Sequence, residues 1–240
     1  MSKIRRNYVI RFIGRIIVLI ISILLFFFHP ISFEILIGWN FFKSFSPFHI
    51  LWIIWIIDMV AQIIPIKNKL SIGSLKLFAK HFKPSNIPVN TEKVKKYLIN
   101  TTKSAFKVFI LWTLLTIGIG ILYFTNIIDK KIILLISILY YVGDLICVLI
   151  WCPFRLIMKN KCCTTCRIFN WDHLMMFSPL IFIGGFFSIS LVTLSILAWL
   201  TWEICILIYP ERFSEISNVS LQCSECTDKL CTQYCKKLKK

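Results

Sequence analysis

Ten cysteines stand in this chain of 240 residues, and their spacing is the first thing in it that could do chemistry. Seven fall in two short runs. One reads Cys162-Cys163-Thr-Thr-Cys166; the other holds Cys223-Ser-Glu-Cys226, then Cys231 and Cys235. Each run contains a CxxC pair. A two-residue gap lets both sulfurs turn toward one point about 2.3 Å from a zinc ion, so two such pairs can grip a tetrahedral centre from opposite sides. Cys152 adds an eighth candidate ligand beside the first run. Eight thiols suffice for two four-cysteine centres, and thiolates bind zinc and iron–sulfur clusters alike. Clustered cysteines in a reducing compartment point to metal rather than to disulfides.

The tail spacing, CxxCxxxxCxxxC, resembles a zinc knuckle, although the third ligand and the last gap differ from that family's pattern. Nucleic-acid binding is therefore not expected, despite the terminal Lys-Lys-Leu-Lys-Lys. Cys147 and Cys152-Pro153 distantly resemble the cysteine–proline motifs of membrane ferredoxin-like subunits. The closely spaced CxxCxxC of bacterial ferredoxins is missing, which favours zinc. A closed four-cysteine site is most often structural, a staple between loop and tail. Its excess negative charge would be offset by Arg155, Arg167, Lys229 and Lys236. His173, directly after Asp172, is a reserve ligand with an orienting carboxylate beside it; Cys147 and Cys205, alone in apolar stretches, read as ordinary buried thiols.

Three acids form the second constellation. Asp58, Asp144 and Glu203 each lie within an apolar stretch that contains no basic residue. A charge at the bilayer centre costs at least about 2.5 kcal/mol, so these side chains must face protein or water. They fall at similar depth, which would suit a proton or cation site; the alternative is that each hydrogen-bonds to a neighbouring helix.

Both constellations need an apolar scaffold, and the composition provides one. Hydrophobic residues make up 58% of the chain and charged residues only 16%, with a mean hydropathy of +0.77; soluble domains are usually about 45–50% apolar. The chain reads as an all-α integral membrane protein of the cell membrane. A spanning helix needs about 20 apolar residues, which picks out 9–28, 49–66, 106–128 and 132–151. The stretch 174–209 would be about 54 Å long as one helix, too long for a hydrocarbon core of about 30 Å. It is expected to fold back as a tight or re-entrant hairpin, turning at Gly184-Gly185 and Ser188 to Ser190, with Pro179 a kink.

Six spans with both termini in the cytoplasm satisfy the positive-inside rule: of 28 Lys and Arg, only Lys43, Lys130 and Lys131 would lie outside. The resulting organisation is two spanning helices in 1–66, a basic cytoplasmic loop at 67–105, a hairpin at 106–151, a cysteine-rich cytoplasmic loop at 152–173, a second hairpin at 174–209 and a cysteine-rich cytoplasmic tail at 210–240. In the basic loop Val94, Tyr97, Leu98, Thr101 and Ala105 follow helical spacing opposite Lys93, Lys95, Lys96 and Lys103, the pattern of an interfacial helix on anionic lipid. Leu75, Phe78 and Phe82 repeat it against Lys76, Lys80 and Lys83. The functions this supports are a redox or metal-handling protein, a structural component binding a protein partner in the membrane, and a small proton- or cation-coupled transporter. No motif marks an enzyme class.

Overall fold

The computed structural model describes residues 3–64, 81–85, 91–159, 163 and 165–222. Among these, every regular element is a helix. Four helices are long and apolar enough to cross a membrane: α1 (Lys3–Phe28), α3 (Thr91–Phe124), α4 (Lys130–Leu149) and α7 (Phe186–Ile208). Between them lie α2 (Pro47–Ile63), α5 (Phe154–Met158) and α6 (Asp172–Phe177), with 3-10 turns at Pro30–Leu36, Phe169–Trp171, Ser178–Phe182 and Pro210–Phe213.

The ends of these helices are set by local chemistry. Ser46 caps α2, its side chain accepting from Phe48 N while its own N–H donates to His49 Nδ1 at 3.0 Å. Asp129 caps α4 by accepting from Ile132 N at 3.0 Å. Each satisfies an orphan donor of the first turn. α1 packs on α4, and α2 on α7. Outward-facing Ile17, Leu24, Ile110, Leu114, Ile117 and Ile121 are exposed, an apolar belt that only lipid can solvate.

The sequence reading placed the break in 174–209 at Gly184-Gly185, and the chain does turn there, with Gly184 at φ +75°. Gly185 is fixed by close approach. A Cβ on it would stand 2.2 Å from the Leu36 carbonyl oxygen, and the next residue, Phe186, donates its N–H to Gly38 O at 3.0 Å. Two details differ from expectation. Ser188 to Ser190 belong to the first turns of α7, where Ser190 Oγ accepts from Trp52 Nε1 at 2.9 Å. The two halves are also unequal, because α7 takes 23 residues and leaves a short broken run before it.

That broken run, residues 169–183, passes from 3-10 to α and back to 3-10 at Ser178-Pro179, where proline removes a donor. It lies antiparallel to α7: Arg167 meets Glu203 near the end of α7, while Gly185 meets Gly38 at its start, about 25 Å away at 1.5 Å per residue. Irregular backbone at that depth is tolerated only when protein covers it. Here α3 supplies the cover through Trp112 and Thr116, both bonded to Ser178 Oγ at 3.0 and 3.2 Å, and through Gly120, on which Phe182 rests. Asn170, Trp171, His173, Met175, Met176, Phe177, Pro179 and Leu180 are all buried.

The amphipathic pattern at 91–105 is helical, but as the N-terminal part of α3. At 34 residues, α3 is about 51 Å long, so its N-terminal part extends past a hydrocarbon core. Val94, Leu98 and Ala105 are buried there against Met158, Ile168, Trp171, Trp202 and Phe213. The apolar face thus covers protein where lipid was expected, while Lys93, Lys95, Lys96 and Lys103 point outward. Leu75, Phe78, Lys76 and Lys80 lie outside the described residues.

Substituting Gly185→Ala forces the 36–38 turn away from α7 and lowers stability by about 2 kcal/mol or more, read as a fall in the melting temperature of the purified protein in detergent. Gly14→Ala, where nothing lies within 4 Å of the added carbon, serves as the control and should hold or raise it. Equal melting temperatures for wild type and Gly185→Ala would refute the close approach.

Candidate functional site

The described cysteines gather at one end of the bundle. α4 brings Cys147 there near its last turn, and the chain then crosses Cys152-Pro153 into α5 before reaching Cys163 and Cys166. Cys166 N donates to Cys163 O at 3.0 Å, a tight turn that brings the two residues of the CxxC pair together. All four cysteines line one cavity of about 240 Å3. Its walls are apolar, built from Trp112, Tyr140, Phe154, Phe169, Met175 and Met176, and its polar groups besides the thiols include Asp144, Asp172 and Arg155. Concave, largely apolar, with few convergent polar groups, it has the character of a binding site.

Cys147, read from sequence as an ordinary buried thiol, is thus part of the site; Cys205 on α7 is not among its lining. The hydrogen bond from the Cys147 thiol, with backbone N–H groups of Phe154 and Arg155 and the Arg155 charge, outweighs burial and brings the Cys152 thiol down to about 7. A thiol so placed is substantially thiolate at neutral pH, the form that binds metal and reacts. Cys162, Cys223, Cys226, Cys231 and Cys235 lie outside the described residues. Among the described residues no three His, Cys, Asp or Glu side chains stand close enough together to hold a metal ion, so the four thiols of the cavity alone do not make a closed centre.

The cysteine turn is clamped from its C-terminal side. Arg167, next to Cys166, is buried, and its two terminal nitrogens bond both oxygens of Glu203 on α7, at 2.9 and 2.5 Å. Trp171 Nε1 donates to the same carboxylate at 2.9 Å, and Trp202 Nε1 to the Arg167 carbonyl at 3.3 Å. A paired guanidinium and carboxylate with further donors is the arrangement in which a buried ion pair holds. The Arg167 charge is therefore committed to Glu203, and Arg155 is the described cation that lines the thiol cavity.

The three acids share a depth but not a site. Asp58, Asp144 and Glu203 each stand five residues before the last residue of their helix, about 7.5 Å in. Glu203 belongs to the cysteine clamp. Asp144 accepts from Arg15 of α1 at 2.7 Å; the same guanidinium donates to Tyr141 O at 2.6 Å and lies 3.8 Å from the centre of the Tyr141 ring. Asp58 is within electrostatic reach of Arg15, Tyr141 and His173. Asp172, not singled out for itself in the sequence, accepts from Gln62 Nε2 at 3.1 Å and stands 3.3 Å from His173 Nδ1. His173 lies within electrostatic reach of Asp58 and Asp144 as well, and its ring centre is 6.0 Å from that of Phe177.

The C-terminal segment returns to this same end. Val219 N donates to Lys83 O at 2.9 Å and Ser85 N to Ser217 O at 3.1 Å, an antiparallel bridge that anchors it. Tyr97 of α3 lies within electrostatic reach of both Glu215 and Cys166, and Gln222 Nε2 donates to Glu215 O at 3.1 Å. Among the described residues Lys43, Lys130 and Lys131 sit at the opposite end of the bundle, and the other Lys and Arg lie at or toward the cysteine end. No protein-family model, curated protein or solved structure matches this chain.

Two outcomes test this geometry. Glu203→Gln removes the counter-charge of Arg167, leaves it one amide oxygen as acceptor and costs about 3 kcal/mol, and because the clamp holds the cysteine turn, Cys166 becomes more quickly alkylated under native conditions; unchanged alkylation would show that the turn is held by other contacts. The thiolate of Cys152 is present above its titration point and lost below it, so its alkylation rate should be half-maximal near pH 7, and Cys147→Ala should move that midpoint upward.

Proposed function

We propose that this chain is a multipass protein of the cell membrane with a cysteine-ligated metal centre, zinc or iron–sulfur, on its basic, cytoplasmic face, in a redox or metal-handling role. The observation that carries this reading is the gathering of Cys147, Cys152, Cys163 and Cys166 around one cavity at the end of the bundle from which the cysteine-rich tail departs. The ligand set is completed by Cys162 and by Cys223, Cys226, Cys231 and Cys235. Gln222, the last described residue, is tied to Glu215 on the same side as Cys166, which favours a shared centre over a local one in the tail.

Six crossings accompany the proposal, with residues 169–183 as the fifth and both termini cytoplasmic. The antiparallel run of 169–183 against α7 and the separation of Lys43, Lys130 and Lys131 from the other described cations support that count. The basic face, with the exposed lysines of α3, is suited to anionic head groups. A second reading, a structural zinc staple in a component that binds a membrane partner, is favoured by the Arg167–Glu203–Trp171 clamp, which immobilises the very turn that carries the CxxC pair.

Elemental analysis of the purified full-length protein should find zinc or iron in fixed ratio to the chain, lost on Cys166→Ser with the fold retained. Visible absorbance assigns iron–sulfur; its absence with zinc present assigns zinc. Protein carrying neither metal, or Cys166→Ser protein with undiminished metal, would end the proposal.

A further inference from the structure

A second constellation lies deeper than the thiols, and the metal centre does not use it. Four elements each send a charged or titratable side chain into one region: Arg15 from α1, Asp58 from α2, Asp144 and Tyr141 from α4, and Asp172 with His173 from α6. Gln62 of α2 joins them through Asp172. The formal charges do not balance. Among the described residues Arg15 is the permanent cation within this cluster, with Arg155 further out on the cavity wall, and Asp144 accepts from Arg15 at 2.7 Å, which leaves Asp58 and Asp172 to be balanced. Unbalanced negative charge at membrane depth is costly, so the cluster must hold something positive.

His173 identifies what it holds. The residue is 3% exposed, and among the described residues neither ring nitrogen has a well-formed hydrogen bond, nor does Asp172 Oδ1, although Nδ1 stands 3.3 Å from that oxygen. A buried imidazole beside a carboxylate oxygen that lacks a donor is a pair that one shared proton satisfies. A metal ion is a poorer fit, since no three of these side chains stand close enough together to hold one among the described residues.

We propose that Asp172 and His173, backed by Asp58 and Asp144, form a proton-binding site within the bundle, exchanging protons with the basic face through the cavity that Asp144 and Asp172 line. The proton resides between His173 Nδ1 and Asp172 Oδ1. Asp144, held by Arg15, and Asp58 supply the negative field that retains it, and the cavity gives it a way out. The other elements packed on α6 add nothing unbalanced: Phe169–Trp171 and Ser178–Phe182 carry no ionisable side chain, and Glu203 of α7 is neutralised by Arg167. Arg155 lines the same cavity. This site needs no thiol and stands or falls independently of the metal centre. It also selects, from the three acids that the sequence singled out, the two that act together.

The test is a titration of ring-labelled histidine by NMR in the full-length protein in lipid nanodiscs, with His173→Gln assigning one signal among the four histidines. The His173 ring should titrate reversibly within the pH range over which the protein stays folded. Its midpoint should move toward acid by about one pH unit in Asp172→Asn and by less in Asp58→Asn, and it should be indifferent to replacement of sodium by choline. Unchanged His29 and His49 signals certify the fold, and if Asp172→Asn fails that control, Asp58→Asn decides. A ring locked in one form across the range, a midpoint indifferent to both carboxylates, or a midpoint that follows sodium would each overturn the proposal.

Discussion

A charge carried below a membrane surface has to find its opposite inside the protein, and much of this architecture follows from two such meetings. Arg15 and Asp144 draw α1 onto α4; Arg167 and Glu203 draw the cysteine turn onto α7. In each case the guanidinium comes from a different element than the carboxylate, so the pair acts as a tie between elements. Apolar packing alone specifies such ties poorly in lipid, where a leucine is as well solvated by an acyl chain as by a neighbouring helix. The ion pairs and the buried indole donors, Trp171 on Glu203 and Trp112 on Ser178, give the bundle its register.

The broken run at 169–183 is the other organising element, and it links scaffold to chemistry. Its 3-10 turns leave backbone that lipid could not satisfy, which is why α3, α4 and α7 surround it. Being surrounded, it can carry Asp172 and His173 into the interior and leave Cys163 and Cys166 at the mouth of the same cavity. A regular spanning helix in its place would have presented one face to lipid and could not have closed over both groups.

The helical framework was legible because lipid imposes a length rule on apolar runs, and 9–28, 106–128 and 132–151 needed only that rule. Gly184-Gly185 was legible as a break, since two adjacent glycines interrupt an otherwise β-branched and aromatic stretch. What could not be read was lateral placement. Asp58, Asp144 and Glu203 share a helix register that spacing reveals, yet which of them face one another depends on helix rotation and neighbour order. Arg15 stood within the first apolar run as a signal that a buried acid elsewhere would need it, but nothing in the sequence tied it to Asp144. Cys147 was discounted because it is alone in its helix; it lines the cavity only because the chain folds back over the end of α4. The face bearing Val94, Leu98 and Ala105 was correctly apolar, and its partner was hidden, because a membrane interface and a protein surface ask for the same stripe.

The tie between Arg15 and Asp144 also bears on synthesis. The two residues are 129 positions apart, so the first helix enters the bilayer long before its counter-ion has been made. Until α4 arrives, α1 carries an unneutralised guanidinium at a cost of about 2.5 kcal/mol or more. The first helix is thus at home in lipid only in the company of the fourth, and the ion pair makes the stability of the chain's beginning conditional on a residue near its middle.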